Sequence, residues 1–193
     1  MLSTKLSKYN IILASKSPRR HELIKSLDIS FSIKTKEVEE IYPENLKHSK
    51  ITDYLAELKA TPFTSELNEN DLLITSDTIV WLNNKALGKP KDYDDAFNML
   101  KELSNATHEV ITSISLTSKN FQQTFNDVTT VTFKKLSNEE IDYYINTYKP
   151  FDKAGAYGIQ EWIGKIGITK MNGSYFNVMG FPVHKLYKEL SKL

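Results

Sequence analysis

NIILASKSPRRHELI, residues 10–24, changes its hydrophobic period half-way along. Asn10 to Ala14 is a short apolar run of the kind a buried strand carries. Ser17 has the side chain of an N-cap, and Pro18 suits the first helical position. Leu23, Ile24 and Leu27 then give the helix an apolar side. The stretch therefore reads strand, turn, helix. Its turn carries an oddity, because Arg19 and Arg20 open the helix. The helix dipole places about half a positive charge at that end, so two cations there are mildly unfavourable. An anionic ligand would reverse that balance.

Outward from this unit, helices and strands stay mixed. Phe31 to Lys34 reads as a second strand and Lys50 to Ala60 as a helix with Ile51, Tyr54, Leu55 and Leu58 on one face. Leu72 to Thr75 reads as a buried strand that ends at Ser76-Asp77-Thr78. Ile79 to Leu82 and Lys85 to Leu87 flank Asn83-Asn84, a hairpin turn. Asp94 to Leu103 is helical. His108 to Thr117 and Gln122 to Phe133 alternate and are rich in β-branched residues, as two long antiparallel strands would be. Ser137-Asn138-Glu139-Glu140 is a capping box for a helix through Tyr148. Residues 152–182 read as glycine-rich and irregular, and a last helix starts near Pro182. The expectation is an α/β or α+β fold with a mixed sheet and flanking helices. No linker divides the chain, so residues 1–193 are expected to form one domain.

Composition narrows the chemistry. Forty per cent of the 193 residues are hydrophobic, enough for a substantial core, and the net charge is only +1. That balance disfavours nucleic-acid binding, which needs a basic field. With no cysteine, disulfides, thiolate metal sites and a cysteine nucleophile are excluded. The apolar run near Met1 is too short for a signal peptide, and no stretch reaches the roughly 18 apolar residues of a membrane span. The expectation is a soluble cytoplasmic protein with no membrane partner; a homodimer is compatible with the sequence.

Four clusters carry chemistry. Ser15-Lys16-Ser17-Pro18-Arg19-Arg20 brings backbone N–H groups, a hydroxyl and two guanidiniums together, which suits phosphate; the plain alternative is an N-cap followed by solvated arginines. Ser76-Asp77-Thr78 offers a carboxylate at an expected strand end, where α/β sheets bind ligands; it could hold Mg²⁺ or activate water, or be a turn residue. Lys89 in Gly88-Lys89-Pro90, and Lys59 at a helix end, could neutralise phosphate or simply face solvent. In Asp152-Lys153-Ala154-Gly155-Ala156-Tyr157-Gly158-Ile159-Gln160, glycines permit close backbone approach, and the Gln160 amide presents a donor beside an acceptor. That pair matches the N3–H and O4 edge of uracil or thymine.

Taken in order, LASKSPRRHELI, SDTIVWLNNKALGKP, DKAGAYGIQ and NGSYFNVMGFP resemble the motifs of the Maf-type nucleoside triphosphate pyrophosphatases, from about residue 11 to 190. The family is also called septum formation inhibitor. The resemblance implies an elongated, two-lobed α/β fold with a mixed twisted sheet and a central cleft, related to inosine triphosphate pyrophosphatases. It implies metal-dependent cleavage of a nucleoside triphosphate to the monophosphate and pyrophosphate. Asp77 then matches the proton acceptor. Arg19, Thr78 and Gln160 match three positions linked to substrate choice. Ser15, Arg20, Glu40, Lys59, Lys89 and Lys153 match other polar positions of the cleft. Glu40 and Asp77 are the candidate ligands of a divalent cation, expected to be Mg²⁺, with Mn²⁺ or Co²⁺ as alternatives. Carboxylates ringed by cations are weak bases, so metal ligation and water positioning stay open for Asp77 beside the proton-acceptor role. Ser76, where alanine is common, reads as a neutral exchange. Glu161 departs from the pattern, since glycine often follows the glutamine.

The branch of the family that prefers 7-methylguanosine triphosphate has Trp, Gln and Glu where this chain has Arg19, Thr78 and Gln160. The resemblance is therefore to the dTTP/UTP branch. Three other readings stay open: a non-catalytic nucleotide-binding regulator of division, a purine-directed pyrophosphatase, and a structural α/β domain whose charges merely solvate its surface, which four ordered motifs disfavour. Pyrophosphate release from dTTP separates the first from an enzyme, and a substrate panel exposes the second.

Overall fold

The computed structural model describes all 193 residues, Met1–Leu193. In chain order the regular elements are α1 (Leu2–Lys5), β1 (Asn10–Leu13), α2 (Pro18–Lys25), β2 (Ser32–Ile33), α3 (Ser49–Leu58), β3 (Asp71–Leu82), β4 (Lys85–Leu87), α4 (Tyr93–Leu103), β5 (Thr107–Thr117), β6 (Gln122–Phe133), α5 (Asn138–Tyr148), α6 (Trp162–Gly167), β7 (Ile168–Asn172), α7 (Tyr175–Val178) and α8 (Val183–Leu190). Two 3-10 turns, Thr61–Glu66 and Ala154–Ala156, complete the set. All seven strands belong to one sheet of order β2-β1-β3-β5-β6-β7, with β4 also paired to β3. β1 runs parallel to β2 and to β3, whereas β3/β4 and β6/β7 are antiparallel. The sheet is thus mixed, as expected of an α/β chain.

The chain divides into two compact units. The first comprises Met1–Asp77, Thr112–Asp127 and Gly180–Leu193; the second comprises Thr78–Ile111 and Val128–Met179. In the first unit, Ile11, Ile12 and Leu13 of β1 are all buried, as are Leu72, Leu73 and Ile74 of β3. Continuous apolar runs of this kind suit parallel strands covered on both faces. Ile12 and Leu73 pack with Ala60, Phe63 and Leu67, which follow α3. The second unit is built on a larger core in which Val80, Leu100, Phe133, Tyr144 and Tyr157 take part. Its α5 starts as expected: the Ser137 hydroxyl accepts from the Glu140 N–H and the Glu140 carboxylate accepts from the Ser137 N–H. The Asn83-Asn84 turn also forms, with both residues at positive φ, as a tight hairpin of this type requires.

Four expectations change. β3 does not stop at Ser76-Asp77-Thr78 but runs for 12 residues, so Asp77 lies in mid-strand. The strand carries the polar trio inside, where the Ser76 carbonyl accepts from Arg20 and Asp77 Oδ1 is paired with Lys59. The strand at 31–34 shortens to Ser32–Ile33, and the helix at 50–60 ends at Leu58 before a 3-10 turn. Residues 152–182 are not irregular; they hold α6, β7 and α7. The glycines there mark close packing, since a Cβ on Gly167 would stand 2.7 Å from the Phe133 ring. The short α1 carries too little periodicity to be read from sequence.

Candidate active site

In the first unit, β1 hands over to α2 through Ala14–Ser17. The Ser15 hydroxyl is buried and accepts a hydrogen bond from the Ser17 N–H at 3.2 Å, while the Ser15 carbonyl meets His21 Nε2 at 2.7 Å. These contacts pin the turn and leave α2 to begin at Pro18, followed by the two arginines. Arg20 turns inward. Its Nε donates to the Gly180 carbonyl at 2.9 Å and its Nη1 donates to the Ser76 carbonyl at 2.8 Å. Pairing between β1 and β3 ends at Leu13 and Ile74, so the Ser76 carbonyl lies beyond the last paired residues on β1's side. The guanidinium satisfies it. Burial lowers the Arg20 pKa and Arg19 lowers it further, against the opposing pull of Asp77 and Glu40. Arg20 remains a cation, because arginine is in practice always protonated.

Beside it, three charges meet. Lys59, at the C-terminal end of α3, places Nζ 2.6 Å from Asp77 Oδ1 and 3.1 Å from Glu40 Oε1. Asp77 is almost wholly buried, and its second oxygen, Oδ2, is buried with no hydrogen-bond partner. The Ser76 hydroxyl, on the preceding residue, is likewise buried and unpartnered. An unsatisfied buried carboxylate oxygen costs about 1–3 kcal/mol or more, so a site that keeps one has a reason to do so. A hard cation is one such reason. No group of three or more His, Cys, Asp or Glu side chains could hold a metal by itself. A pair of carboxylates is nevertheless what Mg²⁺ commonly uses when substrate phosphates complete its shell.

In the second unit, Thr78 continues β3 and is partly buried, and Lys89 follows β4 in an exposed position. The Gly88 carbonyl accepts from the Gly155 N–H at 3.0 Å, which joins the Lys89 turn to the 152–160 loop. Gly155 has φ +67°, and a Cβ there would stand 2.7 Å from Val80 Cγ2. Lys153 is buried. Its Nζ lies 2.6 Å from Asp152 Oδ1 and 3.1 Å from Glu161 Oε1. Gln160 turns its amide oxygen into a buried position where it has no partner.

The model of the Maf-like protein family matches residues 10–193. The chain belongs to that family. A Flavobacterium psychrophilum protein named dTTP/UTP pyrophosphatase is 61% identical over 97% of this chain and 96% of its own. One of the same name from Flavobacterium johnsoniae is 60% identical over the full length of both, and one from Phocaeicola vulgatus is 55% identical over 97% of this chain and 98% of its own. Among solved structures, the Staphylococcus aureus Ham1 protein superposes with a TM-score of 0.56 over 95% of this chain and 98% of that one, at 16% identity. That likeness supports the fold.

In this Maf-like chain the structure brings Arg20, Glu40, Lys59 and Asp77 together, with Arg19 in the same field. Ser15 holds the turn in front of them. Lys59, read from sequence as a possible cation for phosphate, and Lys153, matched there to a polar position of the cleft, each sit on two carboxylates. Sequence reasoning missed the partners of Lys153. Tyr144 donates its hydroxyl to Glu161 Oε2, and the same hydroxyl accepts from the Gly158 N–H at 3.0 Å. Burial and the Glu161 carboxylate together push the Tyr144 pKa up, so the phenol stays a donor. The only sequence sign of this network was Glu161 itself, a carboxylate in a glycine-rich loop.

Proposed function

We propose that this chain hydrolyses dTTP and UTP to the monophosphate and pyrophosphate. The observation that carries the reading is the Asp77–Lys59–Glu40 set with its one unpartnered buried oxygen beside Arg20. Such a set can hold a hard cation and position water, while the Arg20 guanidinium beside it supplies the positive charge for a phosphate oxygen. The names of the full-length relatives point to the same substrates.

Water attacks the α-phosphorus, the bond from the α-phosphorus to the bridging oxygen breaks, and pyrophosphate departs. Asp77 orients the water and takes up or relays its proton. Arg19, Arg20 and Lys89 stabilise the charge on the phosphate oxygens, and removal of one preorganised contact of this kind costs roughly 10²–10³ in rate. Asp77 and Glu40 would hold a divalent cation, Mg²⁺ by their hard oxygens, which would neutralise charge on the phosphoryl oxygens. Gln160 reads the pyrimidine edge. Its unpartnered buried oxygen favours a base that presents a donor and disfavours one that leaves it unpaired.

The test is a panel of dTTP, UTP, dCTP, GTP and 7-methyl-GTP with Mg²⁺, scored for pyrophosphate against orthophosphate. The expected result is pyrophosphate from dTTP and UTP, with far lower kcat/KM on the purines. Orthophosphate as the product, or a purine preference, contradicts the proposal.

A further inference from the structure

The loop that carries Gln160 is held from below by a side chain to which the chemistry above gives no part. Glu161 is the N-cap residue of α6, and its backbone N–H closes the turn by donating to the Gly158 carbonyl at 3.0 Å. Its side chain folds back over the same turn. One carboxylate oxygen accepts from the Tyr144 hydroxyl, and the other lies 3.1 Å from Lys153 Nζ. Tyr144 is fully buried on α5 and in turn receives the Gly158 N–H. Lys153 is buried at the start of the loop. Both ends of the segment from Lys153 to Glu161 are therefore tied to one carboxylate. Gly158 leaves the space for it, since a Cβ there would stand 2.8 Å from Glu161 Cδ and 3.1 Å from Lys153 Cε.

We infer that Glu161 is a positioning residue for base recognition: clamped by Tyr144 and Lys153, it fixes the turn that presents the Gln160 amide. This rests on the pyrimidine-reading role proposed for Gln160. The geometry also redirects Lys153. An ammonium flanked by two carboxylates, Asp152 and Glu161, has no surplus positive charge to offer a phosphate. Lys153 therefore serves the base-reading loop as the counter-ion of its clamp. Glu161 touches no reacting atom in this scheme. Its loss acts on the choice between bases.

The experiment compares the parent with Glu161→Gly, Tyr144→Phe, Gly158→Ala and the Gly158→Ala/Glu161→Gly pair. Two quantities are measured: the ratio of kcat/KM for dTTP to that for dGTP, and amide hydrogen exchange at residues 158–161. In Glu161→Gly and Tyr144→Phe the ratio should fall roughly ten- to a hundredfold, the scale of a misplaced contact. The dGTP value itself should hold, and the Gly158 amide should exchange faster. A merely structural role would lower both substrates together. Gly158→Ala should lower the ratio as much, by displacing the carboxylate, and should add nothing further in the Glu161→Gly background. An unchanged ratio, or unchanged exchange at Gly158, overturns the inference while a pyrimidine-preferring parent leaves the functional proposal standing. A parent that releases no pyrophosphate from dTTP or UTP overturns that proposal, and the role of Glu161 in base choice falls with it.

Discussion

Asp77 is held by Lys59 through one oxygen and left unsatisfied at the other. Asp77→Asn keeps the shape and one acceptor but removes the charge on which Lys59, a cation and a water depend. Turnover should fall at least about a hundredfold, the low end for removal of a general base, while the circular dichroism melt shows a folded protein. Near-parent pyrophosphate release from the folded variant would show that Asp77 is dispensable. The two arginines part company at this scale. Side by side in SPRRHE, they read as equal phosphate ligands, because sequence carries no sign of which one turns inward. Arg20 donates to the Ser76 and Gly180 carbonyls, so Arg20→Ala leaves buried acceptors unpaired. It should cost about 1.5–3 kcal/mol of folding stability in urea titration. Arg19→Ala should weaken nucleotide binding, measured calorimetrically. An Arg20→Ala urea midpoint equal to the parent's, or unchanged nucleotide affinity in Arg19→Ala, would contradict these roles.

Elements whose ends are written in local chemistry were legible. The capping box at Ser137, the Asn83-Asn84 turn and the strand over 122–133 all form as their side chains dictate. Elements set by distant partners were not. β3 passes through Ser76-Asp77-Thr78, where Arg20 and Lys59, far away in sequence, take up the Ser76 carbonyl and one Asp77 oxygen. α6 was hidden because its glycines read as loop, whereas Gly167 is small in order to lie against Phe133. The candidate site residues were legible through resemblance, but their pairing was not: nothing in a sequence puts Lys153 on Glu161. The 3-10 turn at Ala154–Ala156 allows a test at this scale. Gly155 sits at φ +67° with Val80 Cγ2 2.7 Å from where its Cβ would be. Gly155→Ala adds left-handed strain of about 1–2 kcal/mol to overpacking of about 1–3 kcal/mol. Thermal unfolding should therefore begin several degrees lower. A Tm equal to the parent's would mean that the loop relaxes freely.

Over the whole molecule, stability and chemistry can be probed separately. His108 is buried in the core of the second unit, where Nε2 meets the Tyr157 hydroxyl at 2.8 Å and Nδ1 has no partner. Burial pushes its pKa down to about 4. Between about 4 and 6.5 the unfolded chain binds a proton that the folded chain refuses, so stability rises with pH across that window and is lost as pH falls through it. The loss should reach about 2–3 kcal/mol near the bottom of the window, and His108→Gln should remove that part of the acid sensitivity in urea titrations. Equal pH profiles for parent and variant would count against a neutral buried imidazole. The chemistry is tested in heavy-oxygen water. If water attacks the α-phosphorus of dTTP, as proposed, one labelled oxygen enters dTMP and none enters pyrophosphate. Label in the pyrophosphate, or labelled orthophosphate with dTDP, would contradict the account.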